Sequence, residues 1–160
     1  MKDTAELFAS VDALKARLDA HRPLPADIVS QIRQDMRIRF TYHSNAIEGN
    51  TLTMSETKAV LEDGITIGGK SLREHLEAVG HSQAIDYLEV LAQGDAALTE
   101  RTLKDFHSLI LRNIDGANAG TYRRVNVLIS GAGHIPPQAE SVPEKMEAFF
   151  RWYGAARGAL

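Results

Sequence analysis

Cysteine is absent from the 160-residue chain, which excludes disulfides, thiolate zinc sites and cysteine nucleophiles. An excess of charge of one sign is also absent, because 18 basic and 21 acidic residues give a formal net charge of −3. That balance does not indicate a nucleic-acid or membrane-surface protein. No apolar run approaches the roughly 18 residues of a membrane-spanning helix, and the first residues lack the apolar segment of a secretory signal. We therefore expect a cytoplasmic protein.

Helical periodicity dominates what is present. Apolar residues recur at helical spacing from Glu6 to Ala20 and again after Pro25, a residue that suits the first turn of a helix. Two capping boxes, Thr53 to Glu56 and Ser71 to Glu74, place a hydroxyl and a carboxylate three residues apart, so that each can bind a free backbone N–H of a first turn. Further helices are predicted to begin near Thr99 and Val142.

The pattern changes after Asp115-Gly116. Residues 122–129 are rich in β-branched side chains, and Gly131-Ala132-Gly133 is typical of a turn. Pro136-Pro137 then follows, which cannot donate hydrogen bonds to a β-ladder. The sequence predicts a mainly α fold with one β-hairpin.

Known catalytic motifs do not occur in the sequence. There is no His-Glu-x-x-His metal motif, no Walker A loop and no nucleophile elbow. Gly131-Ala132-Gly133 lacks the third glycine of a dinucleotide fingerprint. The residues by themselves therefore identify no complete active site.

Two segments carry a family resemblance. The first is YHSNAIEGNTLT at 42–53, in which Ser44, Glu48 and Gly49 fit the pattern Ser/Thr-x-x-x-Glu-Gly/Asn. The second is GTYRRVNVLISG at 120–131, continuing through HIPP at 134–137. The first resembles the inhibitory helix of Fic (filamentation induced by cAMP) proteins, and the second resembles their flap. Alone, the first pattern is more typical of an ordinary helix end with a glycine cap; the extended match and the second segment, in the same order along the chain, favour the resemblance.

The resemblance covers about residues 25 to 155 and implies a Fic-like helical fold, incomplete at the C-terminus. Residues 1–50 would be N-terminal helices ending in the inhibitory motif, and 51–160 the first part of the Fic domain. The implied activity is protein adenylyltransfer, which moves AMP from ATP to a hydroxyl side chain of a target protein and uses Mg²⁺. No nucleic-acid or membrane partner is expected, and a homo-oligomer is left open.

The resemblance also implies residue roles. Glu48 would reach an arginine of the catalytic motif and exclude the ATP γ-phosphate, because a guanidinium fork binds carboxylate and phosphate alike. Ser44 would fix the helix near the nucleotide, and Gly49 would let the chain turn. The flap would pair with an extended target segment by strand addition. Its candidate docking residues are Val127, Leu128, Ile129, Ser130, His134 and Ile135. An ordinary hairpin that packs on the core is the alternative interpretation.

The Fic catalytic motif, His-Pro-Phe-x-Asp/Glu-Gly-Asn-Gly/Lys-Arg, does not occur in the 160 residues. We therefore assign no catalytic residue and no metal ligand, and we expect this chain alone to be inactive. One hypothesis is that it is part of an auto-inhibited adenylyltransferase. The alternative is a non-catalytic regulator that binds a separate Fic toxin through the Glu48 helix. A truncated gene without activity is a third interpretation.

Overall fold

The computed structural model describes residues 3–94 and 97–157. Within these ranges the chain forms six α-helices and a short 3-10 turn at Ala139–Ser141 that leads into the last helix. The prediction of a mainly helical chain is confirmed. The helices are α1 (Thr4–Asp19), α2 (Ala26–Ile47), α3 (Met54–Asp63), α4 (Leu72–Gln93), α5 (Glu100–Leu111) and α6 (Val142–Arg157).

The chain divides into two compact units, Met1–Met36 and Arg37–Leu160. The first contains α1 and the beginning of α2, and none of the residues of α1 is buried. The second contains the rest of α2 and all later elements. None of the described helices combines the length and the apolar character needed to cross a membrane.

Helices α3 and α4 begin at the two capping boxes predicted from the sequence. The Thr53 hydroxyl accepts a hydrogen bond from the backbone N–H of Glu56, and the Glu56 carboxylate accepts one from the backbone N–H of Thr53. Ser71 and Glu74 form the same reciprocal pair at the start of α4. These local bonds satisfy backbone donors that would otherwise lack partners in the first helical turn.

The core of the second unit lies between consecutive helices, because α3 packs on α4, α4 on α5, and α5 on α6. Leu52, Val60 and Ala78 form its buried apolar cluster. Gly80 faces the backbone of α5, because an added Cβ there would lie 2.8 Å from the carbonyl oxygen of Ile110. Glycine at this position lets α4 and α5 pack tightly.

The structure differs from the predicted β-hairpin, since residues 122–138 include no strand. Side chains hold this segment instead: the Arg123 guanidinium donates to the carbonyl oxygens of Val125 and Pro137. Asn126 Oδ1 accepts a hydrogen bond of 2.8 Å from the backbone N–H of Ala139. Pro136 and Pro137 have no N–H to give a ladder. Thus β-branched composition alone did not produce a strand here.

We call residues 122–138 the α5–α6 loop. Its tip is a tight turn in which the backbone N–H of Ala132 donates to the carbonyl oxygen of Ile129 at 3.2 Å. Gly131, within this turn, has φ +76°, a conformation that favours glycine. The turn predicted around Gly131 is therefore present without the predicted strands on either side.

Candidate functional site

The Glu48 segment ends α2 in a Schellman motif. The backbone N–H of Asn50 donates to the carbonyl oxygen of Asn45 at 3.0 Å, and that of Gly49 to Ala46 at 3.1 Å. Gly49 has φ +93°, the left-handed conformation that this motif requires at its capping residue. The hydrogen bonds close the helix immediately after Glu48, so the direction in which the chain leaves α2 is well defined.

The predicted residues of this segment differ in exposure. Glu48 and Gly49 are exposed, whereas Ser44, one helical turn before Glu48, is half-buried. Among residues 3–94 and 97–157, no hydrogen bond or ion pair engages the Glu48 carboxylate. The adjacent Ile47 side chain is 83% exposed. The end of α2 therefore presents an uncompensated carboxylate beside an apolar side chain.

Asn50 anchors the chain directly after the Schellman motif, and it was not singled out from the sequence. Its side chain is only 9% exposed. The amide nitrogen donates to the carbonyl oxygen of Glu74 at 3.0 Å and to the Glu77 carboxylate at 3.1 Å, while the amide oxygen accepts from the backbone N–H of Leu52 at 3.0 Å. The sequence signal for this anchor was only an asparagine that follows a helix-ending glycine. Its side-chain partners Glu74 and Glu77 lie in α4, with the whole of α3 between them in sequence.

Thr51 forms a second anchor, on Glu74. The Glu74 carboxylate accepts from the Thr51 hydroxyl at 2.6 Å and from the Thr51 backbone N–H at 2.9 Å, in addition to its capping bonds with Ser71. These bonds, led by the one from the Thr51 hydroxyl, lower the pKa of Glu74 to about 2. Lys70 donates to the carbonyl and hydroxyl oxygens of Thr51 from the other side. One carboxylate thus caps α4 and holds the segment that follows Glu48.

Two further contacts join the second half of α2 to α4. Arg37 forms an ion pair of 3.2 Å with Asp86. Thr41, which is completely buried, places its hydroxyl 3.1 Å from Nδ1 of His81. Burial lowers the pKa of His81, which favours the neutral ring. The part of α2 that carries Ser44 and Glu48 is therefore held along its length as well as at its end.

The α5–α6 loop exposes its apolar side chains. Leu128 is 84% exposed and Ile135 is 73% exposed. The remaining predicted docking residues, Val127, Ile129, Ser130 and His134, are also exposed. No hydrogen bond within the described ranges joins this loop directly to the end of α2. The two predicted segments are linked indirectly, through the contacts of α2 with α4 and the packing of α4 on α5 and of α5 on α6.

A cavity of about 750 Å³ lies beside the base of this loop, between α5 and α6. Its lining includes apolar side chains such as Phe106, Ile110 and Met146, together with Tyr122. Lys104 Nζ lies 4.3 Å from the centre of the Tyr122 ring. Burial, followed by the nearby Glu100 carboxylate, raises the pKa of Tyr122 to about 12. The hydroxyl of Tyr122 is therefore neutral at physiological pH.

The histidines of α4 have partners within the fold. His75 Nε2 accepts from the backbone N–H of Ile67 at 2.8 Å, so its Nδ1 carries the proton that is donated to the carbonyl oxygen of Ser71 at 2.7 Å. Across the part of the chain that the structure describes, no group of three or more His, Asp or Glu residues could hold a metal ion. The described residues do not by themselves fit the Mg²⁺ that the family resemblance implies.

Sequence comparison links the chain to named proteins. No protein-family model matches it. It is 33% identical over 145 residues to "Protein adenylyltransferase Fic" of Nematostella vectensis, covering 89% of this chain and 34% of that protein. With the protein of the same name from Drosophila willistoni it shares 31% identity over 146 residues, covering 91% of this chain and 28% of the relative. The chain thus spans about a third of the length of these curated relatives.

Solved structures of similar fold are also Fic proteins. A Fic domain containing signaling protein from Bacteroides thetaiotaomicron superposes with a TM-score of 0.82 at 27% identity, covering 94% of this chain and 58% of that one. Fic-1 from C. elegans superposes with a TM-score of 0.70 at 28% identity, covering 94% of this chain and 46% of that one. The chain is therefore similar to Fic proteins both in sequence and in fold.

Proposed function

We propose that the chain is the regulatory and target-docking part of a protein adenylyltransferase, which transfers AMP from ATP to a hydroxyl side chain of a target protein. The observation that carries the proposal is the similarity to relatives named for this activity, which extends over 89% and 91% of the chain. The catalytic His-Pro-Phe motif belongs, in this proposal, to a part of the protein outside the 160 residues.

Glu48 is the proposed inhibitory group. Its carboxylate is exposed at the end of α2 and has no partner among the described residues. A guanidinium from the catalytic motif would pair with it, because both groups offer matching two-pronged hydrogen-bonding geometry. An arginine engaged in this way would no longer bind the γ-phosphate, and ATP would then bind in a pose that does not lead to transfer.

The structure around Glu48 supports such a role through rigidity. The Schellman motif at Gly49 and the side-chain bonds of Asn50 hold the chain immediately after Glu48, and Thr51 adds its bonds to Glu74. An inhibitory carboxylate is effective only if its position is reproducible, since a misplaced group would compete poorly with phosphate. These contacts limit the motion of the helix end.

The α5–α6 loop is the proposed docking segment for the target. Its backbone between Val127 and Ser130 lacks ladder partners in the described chain, and the side chains of Leu128 and Ile129 are exposed. An extended target segment can bind such a backbone largely independently of its own side chains. This would place a target hydroxyl beside the active site while allowing several target sequences.

ATP and Mg²⁺ are the proposed co-substrate and metal. In the described ranges of this chain there is no acidic cluster to ligate the ion, so its ligands are assigned to the part of the protein that carries the catalytic motif. The residues of this chain contribute the carboxylate that controls the nucleotide pose and the loop that receives the target.

The test uses the longest reading frame that contains these 160 residues, incubated with labelled ATP and Mg²⁺. We expect Glu48→Gly to raise AMP incorporation by about tenfold or more, which corresponds to roughly 1.4 kcal/mol in the activation barrier. Glu144→Gly, which removes an exposed carboxylate from the start of α6, is the matched control and should leave the rate unchanged. The isolated 160-residue chain should incorporate no label.

Two results would count against the proposal. An unchanged rate in Glu48→Gly would remove the inhibitory role from Glu48. A reading frame without a His-Pro-Phe motif would remove the adenylyltransferase activity itself, and co-purification with a separate chain that carries the motif would then establish the regulator alternative.

A further inference from the structure

The α5–α6 loop and the residues beside it differ in charge from the rest of the chain. Residues 116–139 include two arginines, Arg123 and Arg124, and no aspartate, glutamate or lysine. The chain as a whole has a formal net charge of −3. The loop is therefore a locally positive segment of a protein that is slightly acidic overall.

The positive charge of the loop is not compensated within the described chain. Basic side chains on the helices commonly pair with a carboxylate one turn away, as Lys104 does with Glu100 at 2.6 Å. Arg123 instead donates to two backbone carbonyl oxygens of its own loop. No hydrogen bond or ion pair within the described ranges engages the exposed guanidinium of Arg124. Arg123 thus holds the loop together, while the donors of Arg124 remain free.

Apolar side chains surround the free guanidinium. Val125, the next residue along the chain, is 67% exposed, and Leu128 is 84% exposed. Arg124 also lines the mainly apolar cavity between α5 and α6, whose described lining contains no aspartate or glutamate. A ligand of this surface would meet guanidinium donors beside apolar groups. The complementary ligand therefore combines apolar side chains with a negative charge.

An extended peptide fits this surface better than a nucleic acid does. The backbone of residues 127–130 has no ladder partner in the described chain, which suits pairing with an added strand. Two arginines are few for a nucleic acid, whose affinity depends on many phosphate contacts. Arg124 precedes Val127 by three residues, which span at most about 10 Å of chain. A carboxylate a few residues from the paired part of a peptide can therefore reach the guanidinium.

We propose that Arg124 selects target segments that carry an acidic residue within a few positions of the hydroxyl that accepts AMP. The guanidinium fork binds the carboxylate through two parallel hydrogen bonds, and the exposed apolar side chains of the loop contact apolar residues of the target. This inference rests on the proposed docking role of the loop and adds the class of target. Complementary charge of this kind contributes specificity and association rate more than affinity.

Fluorescence anisotropy of labelled peptides with the 160-residue chain, in the absence of ATP, tests the preference. The acidic peptide has a central threonine between valines and a pair of aspartates towards each end, and the neutral peptide has asparagines in their place. Aspartates at both ends make the result independent of the direction in which the peptide binds. We expect the acidic peptide to bind at least about threefold more tightly at about 50 mM salt and to lose most of this advantage at about 500 mM salt.

Variants of the chain assign the preference to one residue. Arg124→Gln should bring the dissociation constants of the two peptides within about 1.5-fold of each other. Arg151→Gln is the matched control, because it removes the same charge from an exposed arginine that is already paired with Glu147 at 2.8 Å, and it should keep the preference. Arg124→Glu should reverse it, favouring a peptide with lysines in place of the aspartates. Far-UV circular dichroism establishes that the variants keep their helices.

Three results would overturn the proposal: equal binding of the acidic and neutral peptides to the wild-type chain, an acidic preference that survives in Arg124→Gln, or no binding of either peptide at about 1 mM. These results leave the adenylyltransferase activity to its own test, because AMP incorporation by the longest reading frame is measured separately. Conversely, a lack of AMP incorporation together with an Arg124-dependent preference would remove the activity and retain the acidic docking surface.

Discussion

At the residue scale, the role of Gly49 is conformational, because no neighbouring atom would contact a side chain added there. An added Cβ would meet no heavy atom within 4 Å, yet φ is +93°. A substitution there changes the backbone energy and almost nothing else. This isolates the contribution of a left-handed helix cap next to the proposed inhibitory carboxylate.

We expect Gly49→Ala to reduce the free energy of unfolding by about 1 kcal/mol, because a Cβ disfavours a positive φ. Gly154→Ala is the control, since Gly154 also has open space around it but lies within α6, where alanine favours the helix by up to about 1 kcal/mol. Urea unfolding of both variants measures the difference. Stabilisation of both to the same extent would mean that Gly49 is not in a left-handed conformation.

At the scale of elements, the α4–α5 contact depends on the missing side chain of Gly80. A Cβ at this position would lie 2.8 Å and 2.9 Å from the carbonyl oxygens of Ile110 and Leu109. These are backbone atoms of a neighbouring helix, which cannot move aside as the end of a flexible side chain can. The two helices would have to separate to admit even a methyl group.

Gly80→Ala should therefore destabilise the chain by about 1–2 kcal/mol, because the steric cost of roughly 1–3 kcal/mol exceeds the gain in helix propensity. Gly154→Ala again serves as the helical control without a crowded neighbour. Thermal unfolding monitored by circular dichroism compares the melting temperatures of the two variants with that of the wild type. If Gly80→Ala raised the melting temperature as Gly154→Ala does, α4 and α5 would be farther apart than the structure has them.

At the scale of the whole molecule, Glu74 links the segment after Glu48 to the start of α4, and its pKa is lowered to about 2 from a reference of 4.5. A depressed pKa means that the unfolded chain binds this proton more readily than the folded one. The stabilisation is therefore complete above about pH 4.5 and is lost as the pH falls towards 2. Protonation of Glu74 in acid should therefore weaken its hydrogen bonds to Thr51 and to Ser71 at the start of α4.

Glu74→Gln is expected to unfold at lower urea concentration than the wild type at pH 7, with a difference that diminishes below about pH 4.5 because protonation removes the same charge from the wild type. Glu144→Gln, at an exposed position, should follow the wild type throughout. Chemical denaturation at several pH values from 7 to about 2.5 provides the measurement. If the stability difference between Glu74→Gln and the wild type stayed constant over this pH range, the charge of Glu74 would not contribute to folding stability.

Much of the fold could be predicted from the sequence, because its determinants are local. Both capping boxes form as predicted, since each requires only two side chains and the backbone between them. The conformation of residues 122–138 could not be predicted in the same way, and the hairpin expected there does not form. Residues 122–138 are organised by hydrogen bonds from the Arg123 guanidinium to the carbonyl oxygen of Pro137 and from the backbone N–H of Ala139 to the Asn126 side chain. Strand propensity contains no information about such side-chain contacts across the loop.

The sequence by itself determined the helices, their starts and the family resemblance, because periodicity, capping and motif order are all encoded within short stretches of chain. Only the tertiary structure decided how the end of α2 is anchored. Asn50 and Thr51 bind Glu74 and Glu77, and Gly80 admits the backbone of α5. These effects depend on distances between segments far apart in sequence, which are defined only when α3, α4 and α5 pack together.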